Sequence, residues 1–182
     1  GEEQLEEIKS KVEGLIDQLK SAGVRVKFDG DDWKRSGWKF AEYELKGVPV
    51  RLAIGPRDLV NNTVEIARRD TKEKSSASMD GLVEHIVKLL DEIQQNLFNR
   101  SVDFRKGKTH VADDYETFKR LLDKEGGFVS AHWDGSAETE ERIKSETKAT
   151  IRCIPLDGKI EAGKCILTGN PSKRRVLFAK AY

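Results

Sequence analysis

Four charged side chains lie in or next to one short apolar segment, VPVRLAIGPRD at residues 48–58. Arg51 interrupts the apolar run, and Glu44 precedes it by a few residues. Arg57 and Asp58 follow the Gly-Pro corner at which the run ends. A guanidinium group can donate two parallel hydrogen bonds to O6 and N7 of guanine, and a carboxylate can accept from N1–H and N2–H of the same base. The four side chains are therefore suited to recognising the edges of unpaired guanines.

A strand through this segment would place Arg51 on the polar face of a sheet. Side chains alternate between the two faces along a strand, so the apolar residues share one face, and Arg51 shares the other with Ala53. Arg57 and Asp58 would emerge at the carboxyl end of the strand, where open α/β sheets commonly bind ligands. A structural alternative stays open, namely a surface ion pair of Arg57 with Asp58 or Glu44, worth less than about 1 kcal/mol.

The distribution of charge along the chain supports a local basic surface. The net charge is only +1, so the total does not by itself indicate a nucleic-acid partner. Residues 1–44 hold eight Lys and Arg against eleven Asp and Glu, whereas residues 45–74 hold seven against four. This shift is compatible with phosphate binding. A solvated surface of mixed charge is the alternative.

The composition is that of a water-soluble globular protein. The 182 residues are enough for one or two domains, and 37% of them are hydrophobic and 36% charged. No apolar run approaches the roughly 20 residues that span a bilayer, and the first residues do not show the charged-then-apolar pattern of a signal peptide. Two cysteines do not make a disulfide framework, so we expect a cytoplasmic protein. Because the chain begins with Gly, we expect a piece of a longer protein or a tag remnant.

The hydrophobic pattern of the first hundred residues alternates helices with strands, which favours an α/β fold. Period-3.6 patterns predict helices over the first twenty residues, from Asp31 or Asp32 to Gly47, and over 79–101. Strands are predicted at Val24–Asp29, 48–55 and 62–70.

A second unit is predicted after a polar, glycine-containing segment. That segment places a linker at 103–114 between an anticipated first domain at 1–102 and a second at 115–182. The second domain is expected to contain helices near Tyr115–Leu122 and at 137–149, strands at 126–133, 150–155 and 175–182, and a loop at 161–174.

The chain offers no recognisable catalytic centre. It contains no G-x-G-x-x-G, P-loop, G-x-S-x-G or paired-histidine motif. Its three histidines are scattered, and lone histidines more often pack than react; they are His85, His110 and His132. We therefore expect no catalytic residue and no enzyme activity from this chain alone.

Two stretches, GWKFAEYELKGVPVRLAIGPRDL and NTVEIARRDTKEK, closely resemble the anticodon-binding domain of prolyl-tRNA ligases of the eukaryotic and archaeal type. The family signature is W-E-L-K-G-V-P-x-R-x-x-x-G-P-[KR]-D, and Tyr43 stands here in place of its Trp. LLDEIQQNLFNRS resembles the helix that follows, and TIRCIPL and the terminal FAKAY resemble the family's extra C-terminal domain. The resemblance covers Gly37–Tyr182.

The resemblance implies a fold, a ligand and a set of contacts. The fold would be a mixed sheet flanked by helices, followed by a small α/β domain. The ligand would be tRNA for proline, whose anticodon carries two adjacent guanines in a single-stranded loop. The implied anticodon-binding residues are Glu44, Arg51, Arg57 and Asp58, with a further lysine, Lys72 or Lys74. The resemblance also implies a parent homodimer whose absent catalytic domain uses ATP and Mg²⁺.

Two departures from the family concern the second domain. Family members often hold zinc with four cysteines there, but only Cys165 stands at a ligand position, so we expect no zinc and no metal site. In the family the carboxylate of a terminal tyrosine approaches the catalytic site, and Tyr182 matches that position. An ordinary strand terminus is the alternative for Tyr182.

Two other function classes stay open. A non-catalytic adaptor could use the same fold to bind a protein partner, but the complete base-reading set favours tRNA. A free-standing enzyme with an unrecognised site is disfavoured by the sparse histidines and scattered carboxylates.

Overall fold

The computed structural model describes residues 2–31 and 33–181, with side chains described from Ser10 onward. The chain divides into two compact units, Gly1–Asn99 and Arg100–Tyr182. Each unit combines helices with a β-sheet, and the predicted α/β class is confirmed.

The first unit has a three-stranded antiparallel sheet in the order β1-β2-β3. Its elements are α1 (Glu2–Ser21), α2 (Ser36–Leu45), β1 (Val50–Ala53), α3 (Pro56–Asn61), β2 (Thr63–Arg68), β3 (Lys74–Ser78) and most of α4 (Leu82–Gly107), which continues past Asn99. Strand β2 lies in the centre, so residues on both neighbouring strands are within reach of its side chains.

One face of this sheet packs into the first core. Val64 and Ile66 of β2 are almost completely buried against the apolar stripe of α4 and against Leu19 of α1. The stripe consists of Leu82, Ile86, Leu89 and Ile93. Because side chains alternate along β2, its remaining residues lie on the opposite face. The core therefore leaves one polar face of the sheet available for other contacts.

The second unit has a four-stranded mixed sheet in the order β4-β5-β9-β6. Its elements are β4 (Thr109–Val111), α5 (Tyr115–Lys124), β5 (Phe128–His132), α6 (Ala137–Thr147), β6 (Ala149–Cys153), β7 (Gly163–Lys164), β8 (Pro171–Ser172) and β9 (Arg175–Lys180). Strands β4 and β5 are parallel, whereas β9 runs antiparallel to both of its neighbours. The β7–β8 pair forms a separate two-stranded ribbon.

A second core, which shares no buried residue with the first, lies between this sheet and α5 and α6. The rings of Phe118 and Phe178 meet edge to face with centroids 5.1 Å apart, and both side chains are fully buried. Each unit thus has the apolar interior that an independent fold needs.

Two elements of the first unit differ from the sequence-based expectations. No strand forms at Val24–Asp29, although Val24 and Val26 do pack on the first core. Alternating burial needs only a surface to pack against, whereas a strand also needs a hydrogen-bonded neighbour. Helix α2 begins at Ser36 rather than at Asp31 or Asp32, because the Asp31 carboxylate accepts the Trp33 N–H and forms a turn there. Asp32 itself lies outside the described residues.

The segment predicted to be a linker, 103–114, is structured. Helix α4 continues to Gly107, and β4 follows immediately. The apolar stripe of α4 stops before the helix does. An exposed helix can continue through polar residues, so the end of the stripe did not mark the end of the helix. Helix α3 and strands β3 and β4 were likewise not predicted, and the predicted loop at 161–174 contains the β7–β8 ribbon.

Candidate functional site

The polar face of the first sheet brings three charged side chains together. The register of the strands places Arg51, Ala67 and Lys74 in one row across the sheet. The neighbouring row consists of Ala53, Glu65 and Ser76. Residues opposite each other on paired strands share a face, and adjacent rows on one face are within reach of long side chains. Small alanine and serine side chains separate the three charges, of which Lys74 is exposed, and Glu65 and Arg51 are partly buried.

Arg51 is held on this face by two contacts. Its guanidinium carbon lies 3.4 Å from the centroid of the Phe40 ring, and Nη1 lies 3.4 Å from Oε1 of Glu65. The side chain of Arg51 is 18% exposed. Stacking of the planar guanidinium on an aromatic ring covers one face of the group and leaves N–H donors at its edge. Arg51 is thus oriented before any ligand is present.

Helix α2 supplies the aromatic ring and one of the predicted carboxylates. Phe40 and Glu44 are four residues apart and lie on the same side of the helix. The Asp29 carboxylate anchors the helix by accepting a 2.9 Å hydrogen bond from the Tyr43 hydroxyl and by pairing with Lys39 at 3.0 Å. The hydrogen bond from Lys39 is the main cause that lowers the pKa of Asp29 to about 2. Tyr43, which replaces the family's Trp, thus fixes α2 to the preceding loop.

The turn between β2 and β3 forms a basic edge next to α2. Lys72 has a left-handed backbone with φ of 64°, and its ammonium group pairs with the Glu44 carboxylate. Arg69 donates from Nε to the Glu44 carbonyl oxygen at 2.9 Å. The hydrogen bond from Lys72 lowers the pKa of Glu44, and the charges of Lys72 and Arg69 lower it further. Glu44 is therefore ionised at neutral pH, with two cations beside it.

Helix α3 carries the remaining two predicted residues. Asp58 accepts a 2.8 Å hydrogen bond from the Gly55 N–H through Oδ2, and its Oδ1 lies 3.4 Å from the Thr63 hydroxyl. The carboxylate thus closes the first turn of the helix, a role that sequence reasoning did not assign to it. The Arg57 side chain is exposed and has no ion-pair partner among the described residues. The surface ion pair of Arg57 with Asp58 or Glu44 is absent from that part of the chain.

The predicted residues fall into three groups. Arg51 and Lys74 meet through Glu65, at 3.4 and 3.8 Å respectively. Glu44 pairs with Lys72 at the basic edge, and the other two residues lie on α3. None of the four principal residues is bonded to another of them in the described structure.

Three further residues of the site were not predicted from the sequence: Phe40, Glu65 and Arg69. Alternation along β2 puts Glu65 on the face opposite Val64 and Ile66, and this pattern is visible in the sequence. The i, i+4 spacing of Phe40 and Glu44 is visible as well. The contact of Arg69 with Glu44 depends on the course of the turn and has no such signal.

In the second unit, two segments are joined by hydrogen bonds, namely the one that follows β5 and the loop between β7 and β8 that begins at Cys165. Oδ2 of Asp134 accepts from the Thr168 hydroxyl at 2.8 Å, the Thr139 hydroxyl at 3.0 Å and the Asn170 amide at 3.3 Å. Oδ1 accepts from the Ser136 N–H at 3.2 Å. Closed zinc sites use four Cys or His ligands, whereas these segments supply one thiol, Cys165, so the residues do not fit structural zinc.

His132 is committed to packing and hydrogen bonding. The buried ring lies 3.0 Å from the Ser172 hydroxyl through Nδ1 and 3.1 Å from Glu161 Oε1 through Nε2. A Cβ at Gly163 would collide with the ring. Both ring nitrogens are therefore occupied, and glycine is required for the ribbon to approach the histidine.

Three further predictions from the sequence concern a metal site, a membrane-spanning helix and Tyr182. In the described part of the chain, no group of three or more His, Cys, Asp and Glu side chains is placed to hold a metal ion. None of the described helices is both long and apolar enough to cross a bilayer. Tyr182 lies outside the described residues, so its expected role stays a prediction.

Each of the two units contains a match to the model of a known protein family. The family model described as "Anticodon binding domain" matches residues 2–89. The family model described as "Prolyl-tRNA synthetase, C-terminal" matches residues 115–182.

Curated proteins named proline–tRNA ligase are similar to the chain over its whole length. The one from Porphyromonas gingivalis is 58% identical over 181 residues, which cover 100% of this chain and 36% of that protein. The one from Cytophaga hutchinsonii is 57% identical over 99% of this chain, and the one from Bacteroides fragilis is 52% identical over 100% of it. Each of these last two alignments covers 37% of the relative. The chain therefore spans little more than a third of the length of these relatives.

Proposed function

Because the chain belongs to the prolyl-tRNA synthetase family, of which it carries the anticodon-binding domain and the C-terminal domain, we propose that it binds the anticodon loop of tRNA for proline. The polar sheet face and its basic edge would recognise the two adjacent guanines. The relatives cited above are bacterial, so assignment to the eukaryotic and archaeal type stays a prediction.

The observation that carries this proposal is the placement of Arg51. Its guanidinium is stacked on Phe40 and partly exposed on a face built from small and polar side chains. A fixed planar donor pair of this kind suits O6 and N7 of a splayed-out guanine. Arg57 adds an exposed guanidinium, and Glu44 adds an ionised carboxylate for the N–H groups of a base.

The contribution of this chain to a complete enzyme is also part of the proposal. We propose that anticodon binding positions the tRNA for a catalytic domain of the same protein, which attaches proline with ATP and Mg²⁺. The complete enzyme would be a cytoplasmic homodimer. Glu44, Arg51, Arg57, Asp58, Lys72 and Lys74 are the proposed anticodon-binding residues. The combined presence of these residues favours this function over a protein-binding adaptor.

Filter-binding titration of the chain against a panel of tRNAs tests the proposal. The panel contains tRNA for proline and the same transcript with both anticodon guanines replaced by adenine. We expect the wild-type chain to prefer the unaltered tRNA. Arg51→Ala should weaken its binding about 5- to 150-fold, equivalent to about 1–3 kcal/mol, with little loss on the altered transcript.

Arg152→Ala is the matched control, because Arg152 is an exposed arginine on β6 of the other unit. We expect it to leave the preference between the two transcripts unchanged. Equal losses on both tRNAs for Arg51→Ala would assign Arg51 to the RNA backbone. Equal affinity of the wild-type chain for all tRNAs would overturn the proposed function.

A further inference from the structure

Glu65 is a charged side chain of the candidate site. In the described structure it neither packs in a core nor bonds to the backbone through its carboxylate. It lies on the central strand β2, on the face opposite the buried Val64 and Ile66. Its side chain is 40% exposed, and its described contacts are with two cations, Arg51 Nη1 at 3.4 Å and Lys74 Nζ at 3.8 Å from the same oxygen, Oε1. One carboxylate oxygen thus bridges two of the proposed anticodon-binding residues.

The bridge changes which part of an RNA the two cations attract. Arginine and lysine side by side on an open surface would bind phosphate, and phosphate contacts carry no sequence information. A carboxylate between the cations offsets one positive charge and repels an approaching phosphate. It leaves the edge of the guanidinium able to donate to a neutral base. The carboxylate therefore disfavours backbone contacts more than base contacts.

The bridge also limits the positions that the two side chains can take. Phe40 covers one face of the Arg51 guanidinium, and Glu65 engages one of its nitrogens. Lys74 has four rotatable side-chain bonds, and its side chain is 58% exposed. Without its partner carboxylate it would be free to follow any phosphate within reach. Glu65 is placed to restrict both cations at once.

We propose that Glu65 is a specificity-determining positioning residue of this interface, which holds Arg51 and Lys74 on the sheet face and keeps phosphate away from them. This inference rests on the proposed function. Glu65 acts through the two cations, so its removal should increase RNA binding while it decreases discrimination. A residue needed only for folding would not produce that combination.

Glu65→Gln in the full chain tests the inference against the two transcripts of the tRNA panel. We expect the affinity for the anticodon-altered transcript to rise about 3- to 10-fold at low salt, and the preference for the unaltered tRNA to fall by a similar factor. The slope of log K against log salt should become steeper by about 1, because one more phosphate is neutralised. Glu84→Gln is the control, since it removes an equal charge from an exposed position on α4.

Glu65→Asp separates charge from position. Aspartate keeps the negative charge but is shorter by one methylene, so we expect an unchanged salt slope together with a reduced preference for the unaltered tRNA. The double variant Arg51→Ala, Glu65→Gln should lose less discrimination than the two single losses combined, because Glu65 acts through Arg51.

The outcomes distinguish this inference from the function on which it rests. If the wild-type chain shows no preference for the unaltered tRNA, the proposed function is wrong and the role of Glu65 fails with it. If the wild-type chain discriminates and Glu65→Gln keeps the same preference and salt slope, only the inference about Glu65 is overturned. Equal changes in Glu65→Gln and Glu84→Gln would reduce the effect to net charge and would also overturn it.

Discussion

Arg51 illustrates how a polar side chain within a strand can be prepared for a ligand. Its two contacts, with the Phe40 ring and with Glu65, come from α2 and β2, which are separate elements of the first unit. A side chain that is already ordered loses less conformational freedom when it binds, so more of its interaction energy appears as affinity. The same arrangement explains why a cation is tolerated in a strand, since the apolar neighbours of Arg51 face the opposite way.

Lys72 is expected to contact the RNA backbone. It lies in the β2–β3 turn, where its ammonium group is largely exposed and pairs with another exposed side chain, Glu44. We expect Lys72→Ala to weaken binding to every tRNA by a similar factor and to reduce the slope of log K against log salt by about 1. The measurement is a set of binding titrations at increasing salt with both transcripts.

Lys74→Ala is the comparison for Lys72, because only one of the two lysines is expected to contribute the phosphate contact. Lys74 is held by Glu65 on the sheet face, so its removal should change the slope less than the removal of Lys72. A loss of base preference in Lys72→Ala, rather than a uniform loss of affinity, would show that Lys72 contacts a base edge.

At the scale of single residues, the positions of the charged groups were easier to predict from the sequence than the residues that they contact. Period-2 alternation is enough to place Arg51 away from the core, and the structure has it there. The partner Glu65 depends on the register between β1 and β2, which a single strand pattern does not specify. The capping role of Asp58 was missed because α3 was not predicted, so there was no helix start for it to cap.

The hydrogen bonds of Asp134 illustrate how one side chain connects several elements. Asp134 follows β5, and its partners lie on α6 and in the loop between β7 and β8. Burial raises the pKa of Asp134, but its hydrogen bonds outweigh that effect and lower the pKa from 3.8 to about 2. These hydrogen bonds thus favour the ionised Asp134 carboxylate. They also connect the segment after β5 with the loop between β7 and β8, and these two segments contain one thiol.

We expect Asp134→Asn to lower the free energy of unfolding of the second unit by about 1–2 kcal/mol at pH 6, after allowance for partial exposure. The folded-state pKa lies below the unfolded value, so this contribution is complete above about pH 5 and is lost as the pH falls toward 2. The difference between the variant and the wild type should therefore shrink between pH 5 and pH 2.5. Urea unfolding followed by Trp133 fluorescence, with Trp33 and Trp38 replaced by phenylalanine, measures it.

Asp157→Asn is the control for this prediction, because Asp157 is an exposed carboxylate of the same unit. It should leave the urea midpoint unchanged at either pH. An Asp134→Asn chain as stable as the wild type at pH 6 would show that the hydrogen bonds of Asp134 do not stabilise the second unit.

At the scale of elements, strongly periodic segments were predicted and weakly periodic ones were not. The apolar stripe of α4 and the capped helix α6 have clear signals, and both form. Strand β3, KSSAS, has no apolar alternation because most of it is exposed, and it becomes a strand by pairing with β2. Residues Val24–Asp29 show the opposite case, in which alternation was present but no strand formed.

At the scale of the whole molecule, the resemblance to prolyl-tRNA ligases is confirmed over the full chain, and it carried the functional prediction further than composition did. A net charge of +1 conceals a local basic edge in the first unit, where Arg69 and Lys72 both contact Glu44. A continuous helix, α4, crosses the position where a linker was expected to begin, so no break in secondary structure marks that position, and the two compact units divide after Asn99.

Because the two units have separate cores, we expect a substitution that destabilises one unit to leave the other unit folded. Ile66 and Ile143 are equivalent side chains, each almost completely buried, and each belongs to a different core. Replacing either by alanine should cost about 2–5 kcal/mol through lost burial and the cavity left behind. Hydrogen exchange measured by mass spectrometry should show faster exchange within residues 1–99 for Ile66→Ala, and within residues 100–182 for Ile143→Ala. Since the cores have no buried residue in common, neither substitution removes contacts from the other core; faster exchange throughout the chain in either variant would mean that the two units unfold as one.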